Sequence, residues 1–93
     1  MLNQVLLVGR ISHFVKCDDN TTKLVLKVKR PFKNMEGEYE YDAVSVYLTQ
    51  WFADPLTVIG IGKLIMIRAR IVVDFIHGQF IQVEKITIIE GGE

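Results

Sequence analysis

The sequence has a single cysteine, no long apolar run and no net charge, and each of these scarcities excludes a class of protein. Cys17 alone cannot form an internal disulfide, which favours a reducing, cytoplasmic setting. No apolar run approaches the roughly 20 residues that cross a bilayer. The N-terminal segment also lacks the charged region and the small-residue cleavage site of a signal peptide. We therefore expect a cytoplasmic protein with no membrane partner.

The charge is balanced, with 11 basic and 11 acidic residues, which excludes a strongly basic tail as the main binding device. Its distribution along the chain is uneven. Residues 1–33 hold seven basic and two acidic residues, a net charge of +5, whereas residues 34–93 carry −5. A binding site for a polyanion should therefore lie mainly in the first third of the chain.

The length and composition suit one small globular unit. The chain has 93 residues, of which 49% are hydrophobic, so it can bury a core but has no room for a second one. We find no repeat, low-complexity stretch or flexible linker along it. We therefore expect a single domain spanning residues 1–93.

Alternation of apolar and polar residues predicts β-strands in the first half of the chain. Residues 3–16 form a β-rich stretch in which Gly9 marks a bulge or bend, and a hairpin turn follows. The strand at 22–30 places a row of lysines on one face, and the strand at 39–49 places three tyrosines on one face. The polar residues 30–38 connect these two strands as a loop.

The second half predicts a short helix or crossover and two further strands. Asp54 suits the helix N-cap and Pro55 the first helical position of a segment at residues 50–60. Strands follow at residues 63–75 and 79–89. Five strands with a short helix between the third and fourth are the layout of the OB-fold, an all-β Greek-key barrel that binds oligonucleotides or oligosaccharides.

The opening segment MLNQVLLVGRI resembles the first strand of bacterial single-stranded DNA-binding proteins, with its asparagine, apolar run and Gly-Arg ending. Residues 24–33, 41–47 and 62–68 match, in order, that family's second strand with its basic-aromatic loop, its third strand and the opening of its fourth. The resemblance covers about the whole chain. It implies sequence-independent binding of single-stranded DNA in replication, recombination or repair, with no catalysis and no cofactor.

The same resemblance implies which side chains contact DNA. The family's base-stacking aromatic positions fall on four residues of this chain, namely Phe32, Tyr41, Tyr47 and Phe75. The basic side chains near them suit phosphates, and two arginines on the fourth strand extend the path. These predicted phosphate contacts are Lys27, Lys29, Arg30, Lys33, Arg68 and Arg70.

Each candidate also has a purely structural interpretation. Tyr41 and Tyr47 suit cross-strand packing, and the lysine row suits a solvated face. Phe75 is equally suited to cover the core. The two arginines of the fourth strand would find carboxylate partners across the sheet in Asp42, Asp74 or Glu84.

The resemblance also bears on assembly. Family members continue past the barrel into a flexible linker and an acidic tail that recruits other enzymes, whereas this chain ends in IIEGGE. Such an ending is expected of a trimmed variant or of a primosomal relative of the PriB kind, which keeps the barrel alone. The resemblance implies a homotetramer joined through the first strands at residues 3–11, with a dimer as the alternative. Replication or primosome proteins are the expected protein partners.

Two other function classes stay open. The barrel would also suit a protein-docking subunit of a primosome or replication complex, or an RNA-binding domain. Enzyme and metal signatures are missing from the sequence, because His13 and His77 are solitary and Cys17 lacks the spacing of zinc ligands. Residues 60–63 lack the spacing of a phosphate-binding loop. We therefore expect neither an enzyme nor a metalloprotein.

Overall fold

The computed structural model describes residues 3–18, 20–49, 60–76 and 78–90. The strands are β1 (Val5–Lys16), β2 (Thr21–Lys33), β3 (Tyr39–Thr49), β4 (Leu64–Asp74) and β5 (Gly78–Glu90). They close into one barrel in the order β1-β2-β3-β5-β4. The predicted five-stranded, all-β barrel is therefore confirmed.

The short helix or crossover predicted for residues 50–60, with Asp54 and Pro55 at its start, lies outside the described residues except for Gly60. Within the described ranges, no helix is long and apolar enough to cross a membrane. The fold described below is therefore built from the five strands and their connections alone.

Strand β1 takes part in two pairings and changes partner near its middle. Residues 5–10 pair with β4 and residues 10–16 pair with β2, both antiparallel. At Gly9 the two backbones approach so closely that an added Cβ would lie 2.8 Å from the carbonyl oxygen of Lys27. The register then shifts after Ile11, as in a β-bulge. The bend expected at Gly9 thus combines a close backbone approach with a bulge.

The barrel closes through β5 and through the start of β1. Strand β3 meets β5 in a parallel pairing in which Tyr47 lies opposite Gln82. Before β1 begins, the side chain of Asn3 continues the pairing with β4. Its Nδ2 donates to the carbonyl oxygen of Ile71 at 2.8 Å, and its Oδ1 accepts from the backbone N–H of Ile71 at 3.0 Å. An amide side chain therefore takes the place of one further ladder residue.

Inward-facing side chains from all five strands form the core. Leu24 and Leu26 of β2, with Val46 and Leu48 of β3, are at most 1% exposed, as their alternation predicts. Burying a side chain of this size stabilises the fold by about 1.5–3 kcal/mol. Because side chains alternate along a strand, burying these four places their neighbours on the outer surface. The other core residues are Ile11, Ile65, Ile67, Ala69 and Val83.

The hairpin of β2 and β3 is longer than predicted. Strand β2 runs to Lys33, which leaves only residues 34–38 as the loop. Pro31 lies where the register shifts between Lys29 and Lys33. A proline is tolerated there because an irregular ladder does not need the N–H that proline lacks. Asn34 closes the loop with its side-chain oxygen, which accepts two backbone hydrogen bonds at 2.9 and 3.0 Å.

Candidate nucleic-acid interface

The outward face of β2 and β3 brings lysines and tyrosines into contact. Lys29 lies opposite Tyr41 in the register, and Lys33 lies opposite Tyr39. The Nζ atom of Lys27 is 4.5 Å from the centre of the Tyr41 ring, and Nζ of Lys29 is 3.8 Å from the centre of the Tyr39 ring. Tyr39 also contacts a second cation, since Nζ of Lys33 is 5.6 Å from the centre of its ring. We call these five residues the lysine–tyrosine array.

Both rings of the array are accessible to a ligand. Tyr39 is 41% exposed and Tyr41 is 48% exposed. A cation within about 6 Å of a ring centre at an exposed site contributes about 0.5–1 kcal/mol. These contacts therefore hold rings and ammonium groups together on one surface without burying either kind of group.

Arg30, predicted to contact phosphate, lies on the opposite face of the same hairpin. Its Nη2 and Nε donate to Oδ1 of Asp42 at 2.9 and 3.1 Å, and its Nη1 is 3.3 Å from Oε1 of Glu40. The hydrogen bond from Arg30 is the main reason that the pKa of Asp42 is lowered. Partial desolvation acts in the opposite direction, and the positive charge of Arg30 adds to the lowering of that pKa. The structure thus places Arg30 in an ion pair behind the array rather than within it.

Two phenylalanines predicted to stack on bases are strongly exposed, at separate places. Phe32 is 81% exposed and belongs to β2, next to Lys33 of the array, rather than to the loop. Phe75 is fully exposed in the turn between β4 and β5. The alternative in which Phe75 covers the core is therefore wrong, because its side chain is fully exposed.

Tyr47, the third predicted tyrosine, faces outward on β3 but has different neighbours. Its ring centre is 5.4 Å from that of Phe80 on β5, with an interplanar angle of 72°, an edge-to-face contact. Tyr47 and Phe80 line a cavity of about 270 Å³ together with Asp18 and Asp74. The ring is thus half-buried beside carboxylates, whereas the array is exposed beside ammonium groups.

Arg68 and Arg70 lie on the outward face of β4, which β1 and β5 separate from the β2–β3 hairpin. Arg70 pairs with Glu84, with Nε 3.5 Å from Oε2, as the structural alternative for this residue predicts. Arg68 lies opposite Leu6 on one side and Lys85 on the other. The structure therefore does not bring these two arginines to the array.

Of the ten predicted site residues, the structure gathers Lys27, Lys29, Lys33 and Tyr41 into one surface. Phe32 is next to Lys33 along β2. Tyr39 belongs to the same surface but was not among the predicted site residues. The signal that identifies it is the alternation of β3, which places it on the face of Tyr41. Across the described ranges, no group of three or more histidine, cysteine, aspartate or glutamate side chains is arranged to hold a metal ion.

Comparison with known proteins gives a clear answer for the fold. No protein-family model matches the sequence, and no curated protein matches it. Solved structures do match. The mitochondrial single-stranded DNA binding protein of S. cerevisiae superimposes with a TM-score of 0.70 at 17% identity, over 99% of this chain and 100% of that one. The chain has an OB-fold.

Two further solved structures with this OB-fold come from bacteria. The N-terminal domain of the PriB protein from Thermoanaerobacter tencongensis gives a TM-score of 0.64 at 13% identity, over 94% of this chain and 96% of that one. A deletion mutant of the single-stranded DNA binding protein from Thermus aquaticus gives 0.60 at 21% identity, over 97% of this chain and 51% of that one. At these identities the likeness is one of fold, so the function has to be argued from the site.

Proposed function

We propose that this chain binds single-stranded DNA without sequence preference, with the lysine–tyrosine array as the centre of the site. The observation that carries this proposal is the contact of three ammonium groups with two exposed rings on one strand pair. Single-stranded DNA presents the complementary groups, because it exposes both its phosphates and the faces of its unstacked bases. The OB-fold shared with single-stranded DNA binding proteins supports the same proposal.

The energies of the competing contacts favour replacement of a cation–π contact by a stacked base when DNA binds. Stacking of a base on an aromatic ring is worth about 1–3 kcal/mol, more than the about 0.5–1 kcal/mol of an exposed cation–π contact. A base can therefore displace Lys27 from the Tyr41 ring. The displaced ammonium group remains close enough to pair with a neighbouring phosphate, so its charge is not lost from the complex.

The other predicted contacts extend this centre. Phe32 is 81% exposed beside Lys33, which supports a third stacking ring at the outer end of the array. Tyr47 and Phe75 lie further along the barrel surface, and Arg68 lies on β4. A strand long enough to leave the array would reach these residues, so in our proposal they add weak contacts, each worth less than about threefold in affinity, for long strands and not for short ones.

Assembly would raise the affinity of so small a site. One OB-fold covers about 4–16 nucleotides, and joining barrels makes the second binding event intramolecular. On β1, residues 5–8 pair with β4 along one edge, and within the described residues no strand pairs with their other edge. Leu6 is 63% exposed there.

The solved PriB domain is dimeric. We propose a homo-oligomer through β1, a tetramer or a dimer, serving replication, recombination or repair in the cytoplasm.

The proposal is tested with the unmodified protein by fluorescence anisotropy. A labelled 35-nucleotide dT strand, its RNA counterpart of the same length and a duplex are titrated at two salt concentrations. We expect tight binding to the dT strand that weakens with salt, and poor binding to the duplex, whose base faces are hidden. Equal binding to duplex and single strand, or no binding at low salt, would overturn the proposal. Preference for the RNA strand would instead favour the RNA-binding alternative.

A second candidate function is supported by the turn between β4 and β5. Val73, Phe75 and Ile76 are all more than two-thirds exposed there, and Asp74 is the one charged side chain among residues 73–76. An apolar tip whose one charged side chain is a carboxylate suits a protein partner better than a polyanion. The chain would then dock to a replication or primosome protein. Retained DNA binding after Phe75→Ser, with lost binding to such a partner, would assign the two functions to separate surfaces.

A further inference from the structure

A groove opens where β1 and β2 part. The pairing of β1 with β2 ends at Arg10 and Lys27. Residues 5–9 of β1 pair with β4 and not with β2. The groove left between the strands has a volume of about 470 Å³, within the range of about 300–1,000 Å³ typical of ligand sites. Its described lining residues are Val8, Gly9, Arg10, Lys27, Lys29, Tyr41 and Leu64.

The chemistry of the lining suits one nucleotide. Three of the seven lining side chains are cationic, one is an aromatic ring and none of the seven is acidic. The cations suit a phosphate, the ring of Tyr41 suits a base, and Val8 and Leu64 provide an apolar floor. The cavity beside Tyr47 has the opposite character, since its lining includes Asp18 and Asp74.

Two features of β1 determine the shape of this groove. Gly9 allows the backbones of β1 and β2 to touch, because a Cβ would meet the Lys27 carbonyl oxygen at 2.8 Å. Arg10 is held toward the turn before β4, since its Nη1 donates to the carbonyl oxygen of Gly62 at 3.0 Å. The guanidinium group is therefore oriented by the protein, so little conformational entropy is lost when it binds a ligand.

We propose that this groove binds one nucleotide of the single strand, with Arg10 as a phosphate-binding residue that faces Lys27 across it. The strand then passes from the lysine–tyrosine array to Gly9 and Arg10 of β1, and the edge of residues 5–8 is left to the oligomer contact proposed above. This inference rests on the proposed function, and it adds a binding residue and a direction for the strand to it. Arg10 differs from the array lysines because its planar guanidinium has several N–H donors in a fixed arrangement, whereas an ammonium group is a compact point charge.

The test compares Arg10→Ala with a matched control on the same strand. Lys16→Ala removes the same charge at the far end of β1, where Lys16 pairs with Thr22. Binding to the 35-nucleotide dT strand is measured against salt concentration, with the oligomeric state of each variant recorded by sedimentation. We expect Arg10→Ala to weaken binding about tenfold at low salt. We also expect it to reduce the slope of log K against log salt by about 0.7, the change for one phosphate on a single strand.

The outcomes separate this inference from the proposed function. If Arg10→Ala and Lys16→Ala both keep the wild-type slope, the groove does not hold a phosphate, although the array still binds DNA. If the wild-type protein does not bind the strand at all, the proposed function itself fails.

A second measurement avoids reliance on a variant that could fail to fold. The backbone amide resonances of the wild-type protein are followed by NMR during titration with a ten-nucleotide dT strand. We expect the Gly9 and Arg10 amides to shift together with that of Lys27, while the Lys16 amide does not. Shifts confined to the β2–β3 hairpin would overturn the inference.

Discussion

Tyr41 and Tyr47 occupy the same face of the same strand, six residues apart, and yet their surroundings are opposite. Tyr41 is exposed, lies opposite Lys29 and has the ammonium group of Lys27 4.5 Å from its ring centre. Tyr47 is half-buried against Phe80 and lines a cavity with Asp18 and Asp74. Strand alternation therefore decides which face a ring occupies. The neighbouring strands decide whether that ring is exposed beside ammonium groups or half-buried in a cavity lined by carboxylates.

The largest expected effect comes from removing the two rings one at a time. Tyr41→Ala should weaken binding of the 35-nucleotide dT strand about five- to 150-fold, since a stacked base is worth about 1–3 kcal/mol. Tyr47→Ala should weaken it less than about threefold, because its ring is packed edge to face on Phe80. Anisotropy titrations at one salt concentration measure both. Equal losses, or a larger loss for Tyr47→Ala, would abolish the distinction between the two regions.

A smaller effect is expected for the lysine opposite each tyrosine in the register. Lys29→Gln should reduce the slope of log K against log salt by about 0.7, because it removes one phosphate contact. Lys23 lies opposite Tyr47, whose ring lines a cavity with Asp18 and Asp74, and Lys23→Gln should change the slope by less than half as much. Titrations at four or more salt concentrations give the slopes. A greater change for Lys23→Gln would place the path of the phosphates over Tyr47.

The smallest effect on binding is expected behind the array, at the ion pair of Arg30 and Asp42. Because the pKa of Asp42 is lowered in the folded chain, the pair stabilises the fold above the ordinary carboxyl pKa of about 3.9. That stabilisation is lost as pH falls through the lowered pKa. Arg30→Gln should therefore lower the urea midpoint slightly at pH 7 and leave it unchanged near pH 2. Arg30→Gln should change DNA affinity at pH 7 less than twofold. A tenfold loss would show that Arg30 contacts DNA after all.

Local patterns in the sequence were sufficient to predict the faces of β2 and β3. Leu24 and Leu26 are buried while Lys27 and Lys29 are exposed, because side chains two residues apart share a face whatever the rest of the fold does. The same rule places Tyr39 and Tyr41 together. The five-strand order and the resemblance of the opening segment were sufficient for the barrel.

Contacts between distant segments could not be predicted in this way. Tyr47 meets Phe80 only because β3 and β5 pair in parallel, which no local pattern encodes. Asp42 was one of three carboxylates considered as alternative partners for the arginines of β4, but its partner is Arg30, because the β2–β3 hairpin places both on its inner-facing side. Phe32 was expected in a loop, but the irregular ladder around Pro31 lets β2 continue past it.

The central claim is that the rings of the lysine–tyrosine array bind bases by stacking. The most direct test measures binding of the 35-nucleotide dT strand by two double variants, Tyr39→Ala with Tyr41→Ala and Tyr39→Phe with Tyr41→Phe. Both remove the hydroxyl groups, and only the first removes the rings. We predict at least about a 30-fold loss for the alanine pair, from two bases at about 1 kcal/mol or more each, and less than a threefold loss for the phenylalanine pair. Wild-type affinity in the alanine pair would contradict the claim.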